Sequence, residues 1–137
     1  MEMKNFDEEI ESILQRDNRY PREAYAFVRD ALEHTHKMLR KNRQGAQAHV
    51  TGQELLEGIR DYALKKFGPL TLLVFEEWGI RRCEDFGEIV FNLVDEGVLA
   101  KTESDSRDDF KGGYDFIEAF QKPFRPVSKG RTSPKSN

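Results

Sequence analysis

The histidines are the first residues whose spacing could serve chemistry. His34 and His36 form a His-x-His pair of the kind that can bind zinc. Residues two apart on a helix, however, point about 200° away from each other, so one ion does not easily reach both. His49 is too distant in sequence to be placed beside them, and no cluster of cysteines supplies further ligands. We therefore predict no metal site.

The single cysteine of the chain could be a reactive thiol. Cys83 follows Arg81 and Arg82 at the start of a predicted helix, where cations and the helix N-terminus favour a thiolate. Glu84 and Asp85 come directly after it and oppose this effect, and no histidine adjacent in sequence can act as its base. We predict no catalytic role for the thiol, and one cysteine excludes an intramolecular disulfide.

Carboxylates are the remaining candidates for chemistry. The loop 105–109 (DSRDD) offers oxygen ligands, but its spacing differs from that of calcium-binding loops, and Arg107 adds a competing charge. The adjacent carboxylates at 76–77 and 95–96 point apart on a helix, which does not suit paired acid–base catalysis. The glycines are scattered and form no phosphate-binding loop. We expect a non-enzymatic protein without a cofactor.

Two N-terminal helices are predicted by apolar periodicity and by their boundary residues. The first runs over 5–16, and Asn5 can cap its N-terminus. Pro21 suits the first position of the second helix, which runs to 42.

Three further helices follow a connector. Thr51 and Glu54 form a T-x-x-E capping box, which predicts a helix over 51–66. A glycine and a proline then separate it from a short helix over 70–78. The last helix runs from about 84 to 96.

The pattern changes after Gly97 from a helical to an extended period. Residues 98–103 and 112–116 are predicted to be the strands of a hairpin, joined by the polar loop 104–111. Three helices followed by a hairpin make the region 48–118 winged-helix-like. We therefore predict an α+β, mostly α fold, with this winged-helix-like C-terminal half and the two N-terminal helices packed on it.

Aromatic side chains are concentrated in the last third of the chain. Phe116, Phe120 and Phe124 recur at four-residue spacing, which predicts a helical turn or an apolar strip that folds back onto the body. Packing in the core is the expected role. The alternative is an exposed patch for a partner or a second copy, which such strips often mark.

Charge is distributed unevenly along the chain. Up to Phe120 there are 25 acidic and 17 basic residues, whereas 121–137 contains five basic residues and no acidic one. We predict one compact domain over 1–124 and a disordered basic tail over 125–137. This tail could hold nucleic acid or another anionic partner weakly, fold against the acidic body, or only aid solubility. We see no signal peptide and no apolar run of membrane-spanning length, and we expect a cytoplasmic protein with no membrane partner.

The helix over 84–96 is the one that would enter a DNA groove in a winged-helix regulator. It contains no lysine or arginine, and affinity for DNA rests largely on cations that release counterions. Nucleic-acid binding through this helix is therefore disfavoured. We predict instead that its exposed acidic residues meet a basic protein surface; these are Glu84, Asp85, Glu88, Asp95 and Glu96.

Four segments of the chain resemble a small-protein family of planctomycete and verrucomicrobial bacteria. They are 52–70 (GQELLEGIRDYALKKFGPL), 78–80 (WGI), 85–99 (DFGEIVFNLVDEGVL) and 105–110 (DSRDDF). The resemblance covers 6–124 and implies a compact domain of the bacterial cytoplasm. Because that family has no assigned activity, the resemblance assigns no functional residue.

The sequence thus favours a non-enzymatic protein-interaction module with an unidentified protein partner and an undetermined oligomeric state. The alternative is a nucleic-acid-binding winged-helix regulator that uses the basic tail and basic residues outside the last helix. The residues in question are Arg40, Lys41, Arg43, Arg81 and Arg82. Their convergence on one face would support that alternative.

Overall fold

The structure is a computed structural model that describes residues 2–3, 6–43 and 49–126. It is mostly helical, as predicted. The α-helices are α1 (Phe6–Arg16), α2 (Arg22–Arg43), α3 (Gly52–Phe67), α4 (Thr71–Glu77) and α5 (Cys83–Asp95), and the strands are β1 (Glu2–Met3) and β2 (Leu99–Ala100). Shorter 3-10 helices cover Gly68–Leu70, Arg107–Phe110 and Lys122–Phe124, and Ile117–Gln121 is a π-helix. No helix in the described ranges is long and apolar enough to cross a membrane.

The predicted capping box at the start of α3 is confirmed. The Glu54 N–H donates to Thr51 Oγ1 at 3.1 Å, and the Thr51 N–H donates to Glu54 Oε1 at 3.0 Å. The two bonds satisfy backbone donors that a helix start leaves without partners. Gly68 ends the helix with a positive φ of 55°. Asn5, the predicted cap of α1, lies outside the described residues.

Helices α2 and α3 approach each other closely where a glycine faces a buried threonine. A Cβ atom placed on Gly58 would lie 1.7 Å from Thr35 Oγ1, a separation that no side chain tolerates. The Thr35 hydroxyl donates to the Ala31 carbonyl at 2.7 Å, so its polar atom is satisfied within α2. The absence of a side chain at residue 58 therefore sets the distance between these helices.

A single cluster of buried apolar residues joins both halves of the chain. Ile10 and Ile13 from α1 and Phe75 from α4 are fully buried in it. The ring of Phe75 lies 5.5 Å from that of Phe27 and 5.3 Å from that of Phe120, measured between centroids. These aromatic contacts hold α4 between α2 and the last helical turns.

The predicted hairpin is not present in the described residues. Strand β2 pairs antiparallel with β1, with Leu99 opposite Met3 and Ala100 opposite Glu2. Residues 112–116 form no strand. The prediction of a winged-helix-like region over 48–118 is therefore wrong in its wing.

The loop predicted over 104–111 contains a helical turn that explains this difference. The Asp108 N–H donates to Ser106 Oγ and the Ser106 N–H donates to Asp109 Oδ2, each at 3.0 Å. These bonds start the 3-10 helix Arg107–Phe110, whose last residue, Phe110, is fully buried against α3 and α5. Burying this ring directs the chain away from β2, so the two predicted strands do not meet.

The chain from 117 to 124 returns to the body in helical form. The name C-terminal helical segment is used below for Ile117–Gln121 and Lys122–Phe124. Phe116 and Phe120 are buried, which confirms the predicted core packing for these two rings, whereas Phe124 is exposed. Of the predicted tail, 127–137 lies outside the described residues.

Candidate functional site

The acidic residues of α5 that were predicted to meet a partner are in contact with arginines of the same chain. Glu88 Oε1 accepts from Arg19 Nη2 at 3.2 Å and from Arg107 Nη1 at 3.0 Å. Arg107 Nη2 also lies 3.8 Å from Asp95 Oδ2. The charged face is the name used below for six side chains: Glu88, Asp95, Glu96, Arg16, Arg19 and Arg107.

A buried asparagine links this face to the core. Arg16 donates to Glu96 Oε1 at 3.1 Å and to the Asn92 carbonyl at 3.2 Å. Asn92, which is 5% exposed, donates through Nδ2 to Asp17 Oδ2 at 2.9 Å and to the Tyr25 hydroxyl at 3.0 Å. The face is thus fixed from beneath by hydrogen bonds between residues far apart in sequence.

The pKa of Asp17 reflects the hydrogen bonds that its carboxylate accepts in this network. Its carboxylate accepts from Arg19 Nη2 at 2.7 Å. The hydrogen bond from Arg19 holds the pKa of Asp17 well below its usual range, with a further contribution from Asn92 and against the opposing effect of burial. The same contact raises the pKa of Arg19. Both groups are therefore charged at neutral pH.

Asp85 and Glu84, the other two predicted interaction residues, serve local structure. Asp85 Oδ1 accepts from the Tyr20 hydroxyl at 2.6 Å, and Oδ2 accepts from the Arg81 N–H at 2.8 Å. Burial, aided by the hydrogen bond to Asp85, raises the pKa of Tyr20. Glu84 Oε2 accepts from the Gly112 N–H at 3.4 Å. A basic partner would have to compete with these internal donors.

The basic residues of the nucleic-acid alternative that the structure describes do not converge. Arg81 and Arg82 are exposed, form no ion pair with any described residue, and follow Gly79, which lies against the Arg19 carbonyl just before α2. Arg40 lies near the other end of α2. Because an α-helix rises about 1.5 Å per residue, Arg40 is roughly 27 Å from the start of α2. Lys41 is exposed beside it, and the side chain of Arg43 lies outside the described part.

The cysteine thiol is buried and is not poised for reaction. Cys83 is 1% exposed, and its Sγ donates to the Tyr114 carbonyl at 3.5 Å. Burial raises its pKa to about 11, which keeps the thiol protonated at neutral pH. The tyrosine hydroxyl in turn donates to the Leu56 carbonyl at 2.9 Å. These contacts anchor residues 113–114 to α3 and α5.

The histidines and the acidic loop are also engaged in local contacts. His34 Nε2 lies 2.7 Å from Asp61 Oδ2, and His49 Nε2 lies 3.6 Å from Asp105 Oδ1. Burial alone would raise the pKa of Asp61, but the hydrogen bonds from His34 and Lys65 lower it overall. Within the described ranges, no group of three His, Cys, Asp or Glu side chains could hold a metal ion.

An apolar groove lies between α4 and the C-terminal helical segment. Its volume is about 440 Å³, and the buried ring of Phe120 forms part of its floor. The apolar groove, as the name is used below, is lined by Pro69, Leu72, Leu73, Glu76, Phe120, Gln121, Phe124, Arg125 and Pro126.

Of the four large apolar side chains exposed in the described structure, Leu73 and Phe124 line this groove, whereas Leu70 and Ile117 lie near it without lining it. Leu70 is 59% and Leu73 60% exposed on the α4 side, while Ile117 is 41% and Phe124 43% exposed on the C-terminal helical segment. Single exposed apolar residues are normal on a protein surface, but two of them on facing walls of one groove mark a binding surface. The four-residue aromatic spacing indicated one wall of this groove, whereas nothing in the sequence indicated the α4 wall.

Charged residues at the groove have no partner of opposite charge among the described residues. Glu76 and Glu77 are exposed on α4 and form no ion pair with any residue in 2–3, 6–43 or 49–126. Arg125 Nη2 donates to the Gln121 amide oxygen at 2.7 Å, but no described carboxylate contacts the guanidinium. The groove therefore differs from the charged face in both its apolar and its charged groups.

Comparison with known proteins assigns no role to these surfaces. No family model, curated protein or solved structure matches the chain. The resemblance to the planctomycete and verrucomicrobial family stays a prediction. Function therefore has to follow from the geometry of the described surfaces.

Proposed function

We propose that the protein is a non-enzymatic protein-interaction module of the bacterial cytoplasm and that it binds through the apolar groove. The observation that carries this proposal is that two exposed large apolar side chains, Leu73 and Phe124, line the two walls of one groove. An apolar patch of this kind, with a few charges beside it, is typical of a surface that another protein covers.

Rough magnitudes favour the groove over the charged face as the binding surface. Complete burial of an exposed leucine or phenylalanine contributes about 1.5–3 kcal/mol. Since Leu73 is 60% and Phe124 43% exposed, covering both would contribute roughly 1.5–3 kcal/mol. An ion pair on a protein surface contributes only about 0–1 kcal/mol, and those of the charged face are already formed within the chain.

The alternative function, a nucleic-acid-binding regulator, has less support. Its two described basic groups lie at opposite ends of α2, and the helix that would enter the groove of DNA presents carboxylates paired with arginines. The exposed pair Arg81 and Arg82 is the feature that still supports nucleic-acid binding. Phosphate binding generally needs several cations on one surface.

Capture of partners from a bacterial lysate by the immobilised full chain tests the proposal. Leu73→Asp places a charge in the groove, and Glu88→Gln removes one from the charged face at a site that contacts two arginines. We expect the groove variant to lose the specifically captured protein and the face variant to keep it. Loss with Glu88→Gln and retention with Leu73→Asp would move the binding surface to α5 and overturn the proposal. Circular dichroism would establish that both variants fold.

A further inference from the structure

We infer that the occupant of the apolar groove is a second copy of this chain, so that the protein forms a two-fold dimer with α4 of each copy against the groove of the other. This inference rests on the proposed function, because it assigns a partner to the same surface. It is supported by the arrangement of charge at the groove and by the composition of the chain that follows it.

The charges beside the groove are arranged so that the surface complements itself. Glu76 lies on the α4 wall and Arg125 on the opposite wall, and neither has an ion-pair partner among the described residues. In a two-fold interface every contact between two different residues occurs twice, so one patch must carry both halves of each pair. A rotated copy would bring Glu76 of each chain towards Arg125 of the other, with Leu73 and Phe124 packed between the two pairs.

A foreign partner of a single charge sign would satisfy one wall and repel the other. A basic segment suits Glu76 and Glu77 but meets Arg125, and an acidic segment has the opposite difficulty. The second copy satisfies both walls without requiring any additional molecule. Of the possible occupants, it therefore fits the observed charges most simply.

The residues that follow the groove are poorly suited to fill it from the same chain. Pro126 is the last described residue and lines the groove, and 127–137 follows it in the sequence. That segment (VSKGRTSPKSN) contains one large apolar side chain, Val127, whereas the groove is lined by Leu72, Leu73 and Phe124. It cannot cover the leucines and phenylalanine that make the groove apolar.

Sedimentation velocity on the full chain, from about 1 µM to about 1 mM, tests for the dimer. We expect the wild type to self-associate with rising concentration. Leu73→Asp should weaken the association at least about tenfold, because it buries a carboxylate in the interface. A protein that remains monomeric throughout would overturn the inference, as would a dimer that Leu73→Asp leaves unchanged.

A charge exchange makes the test specific for the predicted pair. Glu76→Arg alone and Arg125→Glu alone should each weaken the dimer by about tenfold, because each places like charges opposite one another. Combining the two substitutions restores opposite charges and should return the dissociation constant to within about threefold of the wild-type value. Additive weakening in the double variant would contradict this two-fold pairing.

Sedimentation and capture together distinguish an error in the dimer proposal from an error in the proposed function. If the chain is monomeric but captures a protein that Leu73→Asp releases, the groove takes a different occupant and only the second copy is excluded. If the chain is monomeric and capture is insensitive to Leu73→Asp, both proposals are wrong. A dimer that Leu73→Asp weakens, and that each single charge substitution weakens but their combination restores, supports both.

Discussion

The charged face of α5 and the apolar groove beside α4 differ in how far the chain satisfies them by itself. On the charged face, Glu88 and Glu96 are each within 3.2 Å of an arginine from the same chain. At the groove, Leu73 and Phe124 are exposed and Glu76 has no described cation beside it. Many charges therefore do not make a binding surface when they already neutralise one another, whereas a few uncovered apolar side chains can.

The two surfaces should also differ in what they contribute to folding. The charged face joins α1 and the turn before α2 to α5, so it helps to assemble the fold. The groove contributes its inner rings to the core, but its rim is turned towards solvent. Substitutions should accordingly reduce stability at the charged face and reduce association at the groove.

The largest effect on stability is expected from Asn92→Ala. Asn92 contacts Asp17, Tyr25 and Arg16, and its removal leaves partly buried polar groups without partners. The free energy of unfolding should fall by about 2–4 kcal/mol. Urea unfolding followed by the fluorescence of the single tryptophan, Trp78, measures this change.

A second amide serves as the matched control for this substitution. Gln53 forms one exposed hydrogen bond, to Asp109 Oδ1 at 3.3 Å. Gln53→Ala should change the unfolding free energy by less than about 0.5 kcal/mol. If Asn92→Ala also changed the unfolding free energy by so little, the charged face would not contribute to the stability of the fold.

The next effect is a loss of stability in acid that depends on Asp17. Because its pKa is lower in the folded than in the unfolded state, where it is near 3.9, the carboxylate stabilises the fold above that value. This contribution is lost as the pH falls below about 4 towards the folded pKa. The difference in unfolding free energy between wild type and Asp17→Asn should therefore shrink between about pH 5 and pH 2. A difference independent of pH over this range would contradict the assigned pKa.

The smallest effect on stability is expected at the groove. Leu73 is 60% exposed, so Leu73→Asp should change the unfolding free energy by less than about 0.5 kcal/mol at concentrations where the protein is monomeric. Chemical unfolding at micromolar concentration measures this value. A loss above about 1 kcal/mol would place Leu73 in the core and weaken the distinction between the two surfaces.

Local signals in the sequence predicted the helices well. Thr51 and Glu54 act three positions apart at the start of α3 and Gly68 acts directly after its last residue, and the structure confirms the helix ends that they indicate. The burial of Phe116 and Phe120 followed from their spacing. Signals of this kind can be recognised because sequence neighbours determine them.

The features that sequence reasoning missed depend on distant contacts. Strand β2 finds its partner at Glu2–Met3, almost a hundred positions earlier, so extended periodicity could not identify it. Arg16 and Arg19 contact acidic residues in and directly after α5 that lie about 70 to 80 positions later in the sequence. The pairing of these carboxylates with arginines therefore could not be predicted from the sequence. The run 72–75 (LLVF) is apolar throughout, and nothing in it distinguishes the exposed Leu73 from the buried Phe75.

Hydrogen–deuterium exchange at concentrations below and above the dissociation constant of the self-association tests most directly whether the groove, and not the charged face, is the docking surface. Association should slow backbone exchange in 69–77 and 117–126, which form the two walls, and leave exchange in 83–95 unchanged. Slower exchange confined to 83–95, with the groove unaffected, would contradict the account.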